Sequence, residues 1–321
     1  MIGLKDKYKD YFKMGAAVNT RTINSHAALL KQHFSSLTCE NETKFESLQK
    51  VEGNFNFTNA DKIVQFARDN QIAMRGHTFT WHNQTPTWVF ENADKEMLLK
   101  RLKNHIATVG KRYEKDFYCW DVVNEAIEDK SEILFRKSNW TEIIGEDFMD
   151  YAFRYAKEIL PSTDLYYNDY NETQVPKRDK IYETVKGMME RGVPIDGVGL
   201  QCHWSIYTPV MDEIQKTIEL YAKLGLKLQV TEMDVSVYAH EDITHLDKPT
   251  EKILDLQAKA YSNIFSIFRE YKDIIDNVTL WGVADDCTWL DNFPVENRKN
   301  WPLLFDEQHQ PKEALVRIMD F

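Results

Sequence analysis

With 321 residues, 43% of them hydrophobic, the chain is long enough to bury a substantial core, and α/β barrels of about 250 residues or more fold as one domain. A formal net charge of −11 argues against nucleic acid and anionic membrane surfaces as partners, because both call for an excess of Lys and Arg. The four cysteines, Cys39, Cys119, Cys202 and Cys287, are far apart and form no C-x-x-C pair, which argues against a zinc cluster and suits buried thiols in a reducing compartment.

Eight short runs rich in β-branched or aromatic residues are expected as strands, over residues 14–18, 33–38, 72–78, 118–123, 164–168, 197–203, 227–232 and 278–283. Between them lie stretches with helical spacing. Residues 58–70 carry apolar side chains at 60, 63, 64, 66 and 67, and residues 211–224 and 251–271 behave alike. Strand–helix alternation implies parallel strands, because each crossover returns the chain to the same end of the sheet. Eight such units without a linker, a low-complexity tract or a visible repeat predict a single-domain (β/α)8 TIM barrel over residues 1–321. An open doubly wound sheet is the other arrangement, but no Gly-x-Gly-x-x-Gly follows a strand, which removes its usual dinucleotide site.

Polar residues follow the predicted strands: Glu40 and Asn41, His77, Asn124 and Glu125, Asn168 and Asp169, Gln201 to His203, Glu232 to Asp234, and Trp281 to Asp286. A barrel projects all of these from its C-terminal face, where such enzymes place their active sites. The N-terminal segment has charge but no apolar leader core, so a cytoplasmic enzyme is expected.

Glu125 closes the run 119–125 and Glu232 closes the run 227–232. Either one alone is equally well a helix N-terminal carboxylate or a functional acid. Together, on the fourth and seventh predicted strands, they reach one rim. Glycosidic cleavage needs one protonated carboxyl to assist the leaving oxygen and one ionised carboxylate to attack the anomeric carbon. A separation of ~5–5.5 Å gives net retention and ~6.5–9.5 Å gives inversion, a distance that sequence does not supply.

Segment 120–126 (WDVVNEA) and segment 230–234 (VTEMD) resemble the acid/base and nucleophile signatures of glycoside hydrolase family 10, the retaining barrel xylanases. Segments 33–44, 75–84, 199–204 and 281–290 match further family blocks, in the family's order, and the resemblance spans residues 14 to 305. It implies that Glu125 acts as general acid, then base, and that Glu232 is the nucleophile. It also implies that Asn124 binds the 2-hydroxyl of the sugar at the cut, and that His203 and Asp234 orient the nucleophile. Glu40, Asn41, Lys44, His77, Trp81, Gln84 and Gln201 match the family's non-reducing-side sugar-binding positions, and Trp281 and Trp289 match the tryptophans that wall the bond-cleaving subsite. The expected substrate is xylan or a xylo-oligosaccharide, with no cofactor and no metal required. His77, His82 and His203 lack metalloprotease spacing. Glu125 is expected to be raised toward neutrality by negative Glu232 nearby. The chain departs from the family at Thr43, where methionine is common, and at Asn83, where serine is common. Both are expected to stand clear of the chemistry.

The shared carboxylate pair leaves two alternatives open: another retaining barrel β-glycanase, with different subsites, and a catalytically dead barrel that only binds sugar. Retention of both glutamates counts against the second.

Overall fold

The computed structural model describes residues 2–321. Nine strands form in chain order: β1 (Lys13–Val18), β2 (Ser36–Cys39), β3 (Ala73–Trp81), β4 (Phe117–Asn124), β5 (Asp164–Asp169), β6 (Gly197–Leu200), β7 (His203–Ser205), β8 (Lys227–Ser236) and β9 (Ile275–Leu280). Every pairing is parallel. Strands β1 to β6 pair in succession, β6 then pairs with β8, β8 with β9, and β9 with β1, which closes an eight-stranded barrel. Short β7 adds to the C-terminal end of β8, with His203 opposite Asp234. The strands are buried almost throughout, as parallel strands covered on both faces must be.

The outer helices follow from sequence. Thr58–Asp69 buries Ala60, Ile63, Val64 and Ala67, one stripe at helical spacing. Lys95–Tyr113 starts where the Asp94 side chain accepts from the Met97 amide, and Glu251–Glu270 starts where Thr250 accepts from Ile253. These caps satisfy amides that have no intrahelical partner. The final helix, Glu313–Met319, packs on Glu251–Glu270, and one apolar core runs from Leu4 to Ile318.

The barrel interior is partly polar. Arg75 on β3 bonds Asp121 on β4 at 2.7 Å and reaches across to Gln229 on β8 at 2.6 Å, with all three side chains buried. Gly76 is demanded by packing, because a Cβ there would lie 2.0 Å from the Trp120 ring.

Three expected strands are shifted. His33 ends the helix Ala27–His33, so the second strand begins only at Ser36. The expected strand 197–203 splits because Cys202 adopts a left-handed backbone, φ +57°, which no strand continues through. The last strand ends at Leu280, and the chain leaves it through Gly282 at φ +147°, where any side chain would be strained. Glu232 lies inside β8 rather than at its end. No helix among the described residues is long and apolar enough to cross a membrane.

Candidate active site

Glu125 leaves β4 in a left-handed conformation, φ +56°, uncommon for a residue with a Cβ and a frequent mark of functional sites. Its neighbours hold it there. The Glu125 amide donates to the Asn168 carbonyl at 2.9 Å, and its own carbonyl accepts from Arg136 Nε at 3.1 Å. The Tyr167 hydroxyl oxygen accepts from the next two amides, Ala126 at 3.1 Å and Ile127 at 3.2 Å.

Among the described residues, the Glu125 carboxylate meets only neutral donors. Oε2 accepts from Trp81 Nε1 at 2.9 Å, and Oε1 accepts from Gln201 Nε2 at 3.1 Å and Asn124 Nδ2 at 3.3 Å. Burial, then the negative charge of Asp169, pushes its carboxyl above the usual range, and Glu232 adds less. The expected direction is found, but its expected cause is not the main one. Asp169 ranks first among the charges because it ends the neighbouring strand β5, buried beside the exit of β4.

Glu232 sits among basic side chains. Oε2 is 3.4 Å from His203 Nε2, and Oε1 is 3.9 Å from His77 Nδ1 and accepts from Asn168 Nδ2 at 2.7 Å. Burial alone would raise this carboxyl. The charges of His77 and His203, the His203 hydrogen bond and the Lys44 charge outweigh it and hold the group down at about 2. Burial likewise disfavours charge on His203, yet Asp234 and Glu232 lift it to about 10. The two carboxyls that sequence paired are therefore driven apart, one toward the acid and one toward the anion.

His203 and Asp234 meet as the sequence predicts, Nδ1 to Oδ2 at 3.0 Å, and Trp289 Nε1 donates to the same Asp234 oxygen at 2.8 Å. The Trp289 ring lies 4.8 Å from His203, and Trp281 meets His77 edge-on at 5.4 Å, so both indoles line the Glu232 side. Phe293, in the 291–301 loop, stacks on Trp289 at 4.8 Å. Lys44, Asn41 and Gln84 form a second cluster. Lys44 Nζ donates to Asn41 Oδ1 at 3.1 Å and to Gln84 Oε1 at 2.9 Å, and lies 4.8 Å over the Trp81 ring. Glu40 stands beside this cluster, held by Asn19 Nδ2 at 3.0 Å.

Two of the expected sugar-binding residues also touch the carboxyl pair. Gln201 bonds the Glu125 carboxylate and Asn124 Oδ1, and His77 is buried, with Nδ1 2.9 Å from Asp121 Oδ2 and close to Glu232. Thr43 is not clear of the site, since its hydroxyl donates to the His77 carbonyl. Sequence reasoning also missed Asn168, which donates to both Asn124 Oδ1 at 2.9 Å and Glu232 Oε1 at 2.7 Å. Its signal was its place at a polar strand end.

The arrangement is one buried carboxyl among neutral donors, one carboxylate among basic side chains, and a rim of indoles, amides and one amine. Sugars present apolar C–H faces and polar edges that suit such a rim. The comparisons agree. Residues 3–321 match the family model described as Glycosyl hydrolase family 10. The chain is 50% identical to Endo-1,4-beta-xylanase A of Caldicellulosiruptor saccharolyticus, across 100% of this chain and 96% of that one. It is 49% identical to an Endo-1,4-beta-xylanase of Geobacillus stearothermophilus, across 99% and 98%. Among solved structures, a xylanase of Paenibacillus barcinonensis complexed with a conduramine derivative superposes with a TM-score of 0.98 at 49% identity, covering 99% of this chain and 98% of that one. A mutant structure in complex with xylotriose does so with a TM-score of 0.98 at 48% identity, covering 100% of each chain. A closed parallel barrel, two carboxyls of opposed ionisation on its C-terminal rim and a match running through nearly the whole sequence lead to one conclusion: the chain belongs to glycosyl hydrolase family 10.

Proposed function

We propose that this protein is a retaining endo-1,4-β-xylanase, a single catalytic domain over residues 1–321, cutting internal bonds of xylan or xylo-oligosaccharides. The observation that carries the roles is the opposed ionisation of the pair, Glu125 raised and Glu232 held at about 2. Family membership supports the substrate and the retaining course. In the first step a Glu232 oxygen attacks the anomeric carbon while Glu125 passes its proton to the departing glycosidic oxygen, leaving a glycosyl ester on Glu232. In the second, ionised Glu125 takes a proton from water, the water oxygen attacks the same carbon, and Glu232 leaves as carboxylate. Each step inverts that carbon, so the product keeps its configuration.

Asn124 fits a contact to the sugar's 2-hydroxyl. Its Oδ1 already accepts from Asn168 and Gln201, and one Nδ2 hydrogen is spent on Glu125, which leaves the second for the sugar. Lys44, Asn41, Gln84, Glu40, Trp81, Gln201 and His77 would receive the non-reducing side, and Trp281 and Trp289 would wall the ring being cut. A reducing compartment is supported by four free thiols, of which burial holds Cys39, Cys119 and Cys202 above the usual range.

The deciding experiment is Glu232→Gly with and without azide, on an aryl xylobioside. Recovery of turnover with an α-glycosyl azide as product is expected. A folded variant that azide does not rescue would remove the nucleophile role, and faster cleavage of cello- than xylo-oligosaccharides by the wild type would overturn the substrate.

A further inference from the structure

The seam that closes the barrel, between β1 and β9, carries a cluster that the glycosidase chemistry does not use. His26 follows β1, between the helical turns Thr22–Ser25 and Ala27–His33. Asp286 follows β9. His309 stands in the turn between the bridged residues Phe305 and Pro311, in a left-handed backbone, φ +62°. Three segments far apart in sequence thus converge on one point.

We propose that His26, Asp286 and His309 form a zinc site, with His26 Nε2, His309 Nε2 and Asp286 Oδ1 as ligands and a water completing the shell. The candidate ligand atoms all lie within 4.8 Å of one another. His26 Nε2 is 2.8 Å, and His309 Nε2 3.5 Å, from the same Asp286 oxygen. Metal bonds of ~2.0–2.1 Å at tetrahedral angles put ligand atoms about 3.3 Å apart, so the two separations bracket the required one. The His26 contact is at full hydrogen-bond distance, whereas the His309 contact to the same oxygen, at 3.5 Å, is looser than the usual N–H···O range of about 2.7–3.2 Å. Yet the His309 ring is held 4.2 Å from the His26 ring.

The surroundings are those of a prepared site. His26 is buried, and its Nδ1 lies 2.8 Å from Ser25 Oγ, which turns Nε2 toward the cluster as outer partners of metal-bound imidazoles do. Asp285, next to Asp286, is locked by the Leu303 amide at 2.8 Å and Lys312 Nζ at 2.8 Å, so the backbone bearing the carboxylate is fixed. The turn bearing His309 is braced by Asp306 Oδ1, which accepts from Gln308 N at 2.9 Å and Gln310 N at 2.8 Å. Asp286 and His309 each keep 32% of their side-chain surface exposed, which gives an ion a way in. Two imidazoles and one carboxylate with one open position are a common zinc set. Bound there, the ion would tie the segment after β1 to the loop after β9 and to the C-terminal turn, and would stabilise the folded chain by mass action.

The test is calorimetric titration of chelator-treated protein with zinc chloride, with thermal unfolding and the visible absorption of a Co2+-substituted sample alongside. One equivalent of zinc, a raised Tm and the absorption of four-coordinate Co2+ are expected in the wild type. At least a tenfold weaker affinity and no Tm shift are expected in both His309→Ala and Asp286→Asn, whose folding is checked by unchanged hydrolysis. Wild-type affinity no tighter than that of His309→Ala, or an equal Tm shift in the variants, would overturn the site.

Discussion

Asn168 Nδ2 spans the gap between Asn124 and Glu232, and no other neutral side chain donates to the Glu232 carboxylate among the described residues. A hydrogen bond to a charged group contributes about 1.5–3 kcal/mol, so Asn168→Ala should lower kcat/KM by roughly 10- to 100-fold, measured on a xylo-oligosaccharide with folding checked by circular dichroism. The opposed ionisation predicts a bell-shaped rate profile, because Glu232 must be ionised and Glu125 protonated. Glu125→Ala should abolish the basic limb, and a bell that survives would contradict the assignment. Stability follows the same groups with signs that differ. Glu232, depressed from 4.5 to about 2, contributes stability that is complete above pH 4.5 and lost as pH falls toward 2. His203, raised from 6.5 to about 10, contributes stability complete below pH 6.5 and lost as pH rises toward 10. Chemical denaturation of Glu232→Gln and His203→Asn across these two windows should show each loss disappear in its own variant.

At the scale of elements, the exit of β4 is the strained feature that the scaffold must hold. A left-handed Glu125 persists because Tyr167, Asn168 and Arg136 all bond the backbone around it. Tyr167 is on β5, so the alignment of the acid depends on the neighbouring strand. Tyr167→Phe leaves two buried amides without an acceptor, at about 1–3 kcal/mol each. We expect a lower Tm together with a fall in kcat at nearly unchanged KM. An unchanged kcat would show that the turn holds itself. Cys202 makes a comparable left-handed break between β6 and β7, which places Gln201 on Glu125 and His203 on Glu232 from the positions on either side of it.

Across the whole molecule, Arg75, Asp121 and Gln229 connect β3, β4 and β8 through the barrel, beneath the site. Asp121 also holds His77, which faces Glu232, so the interior ion pair reaches the carboxyl pair through one imidazole. Arg75→Met strands a buried carboxylate. Breaking such a pair costs about 3–5 kcal/mol, which in a chain of this size lowers Tm by roughly 5–10 °C, readable by calorimetry. A change below a degree would show that Asp121 had found another partner.

The sequence by itself determined the fold class, because eight β-rich runs alternating with helical spacing admit few arrangements, and it determined the glutamate pair and most of the rim, because these residues lie in contiguous blocks beside strands. Its element boundaries failed at His33, Cys202 and Trp281, where burial pattern and backbone conformation part company: an apolar residue reads the same in a helix end, a strand or a left-handed break. What only the tertiary structure decided is which charges face which carboxyl. Asp169 against Glu125, His77 turned toward Glu232, Asn168 between Asn124 and Glu232, and His26 with Asp286 are contacts between segments 40 or more residues apart. No local pattern encodes them, because electrostatic interaction depends on distance in space and burial, and both are set only when the barrel closes.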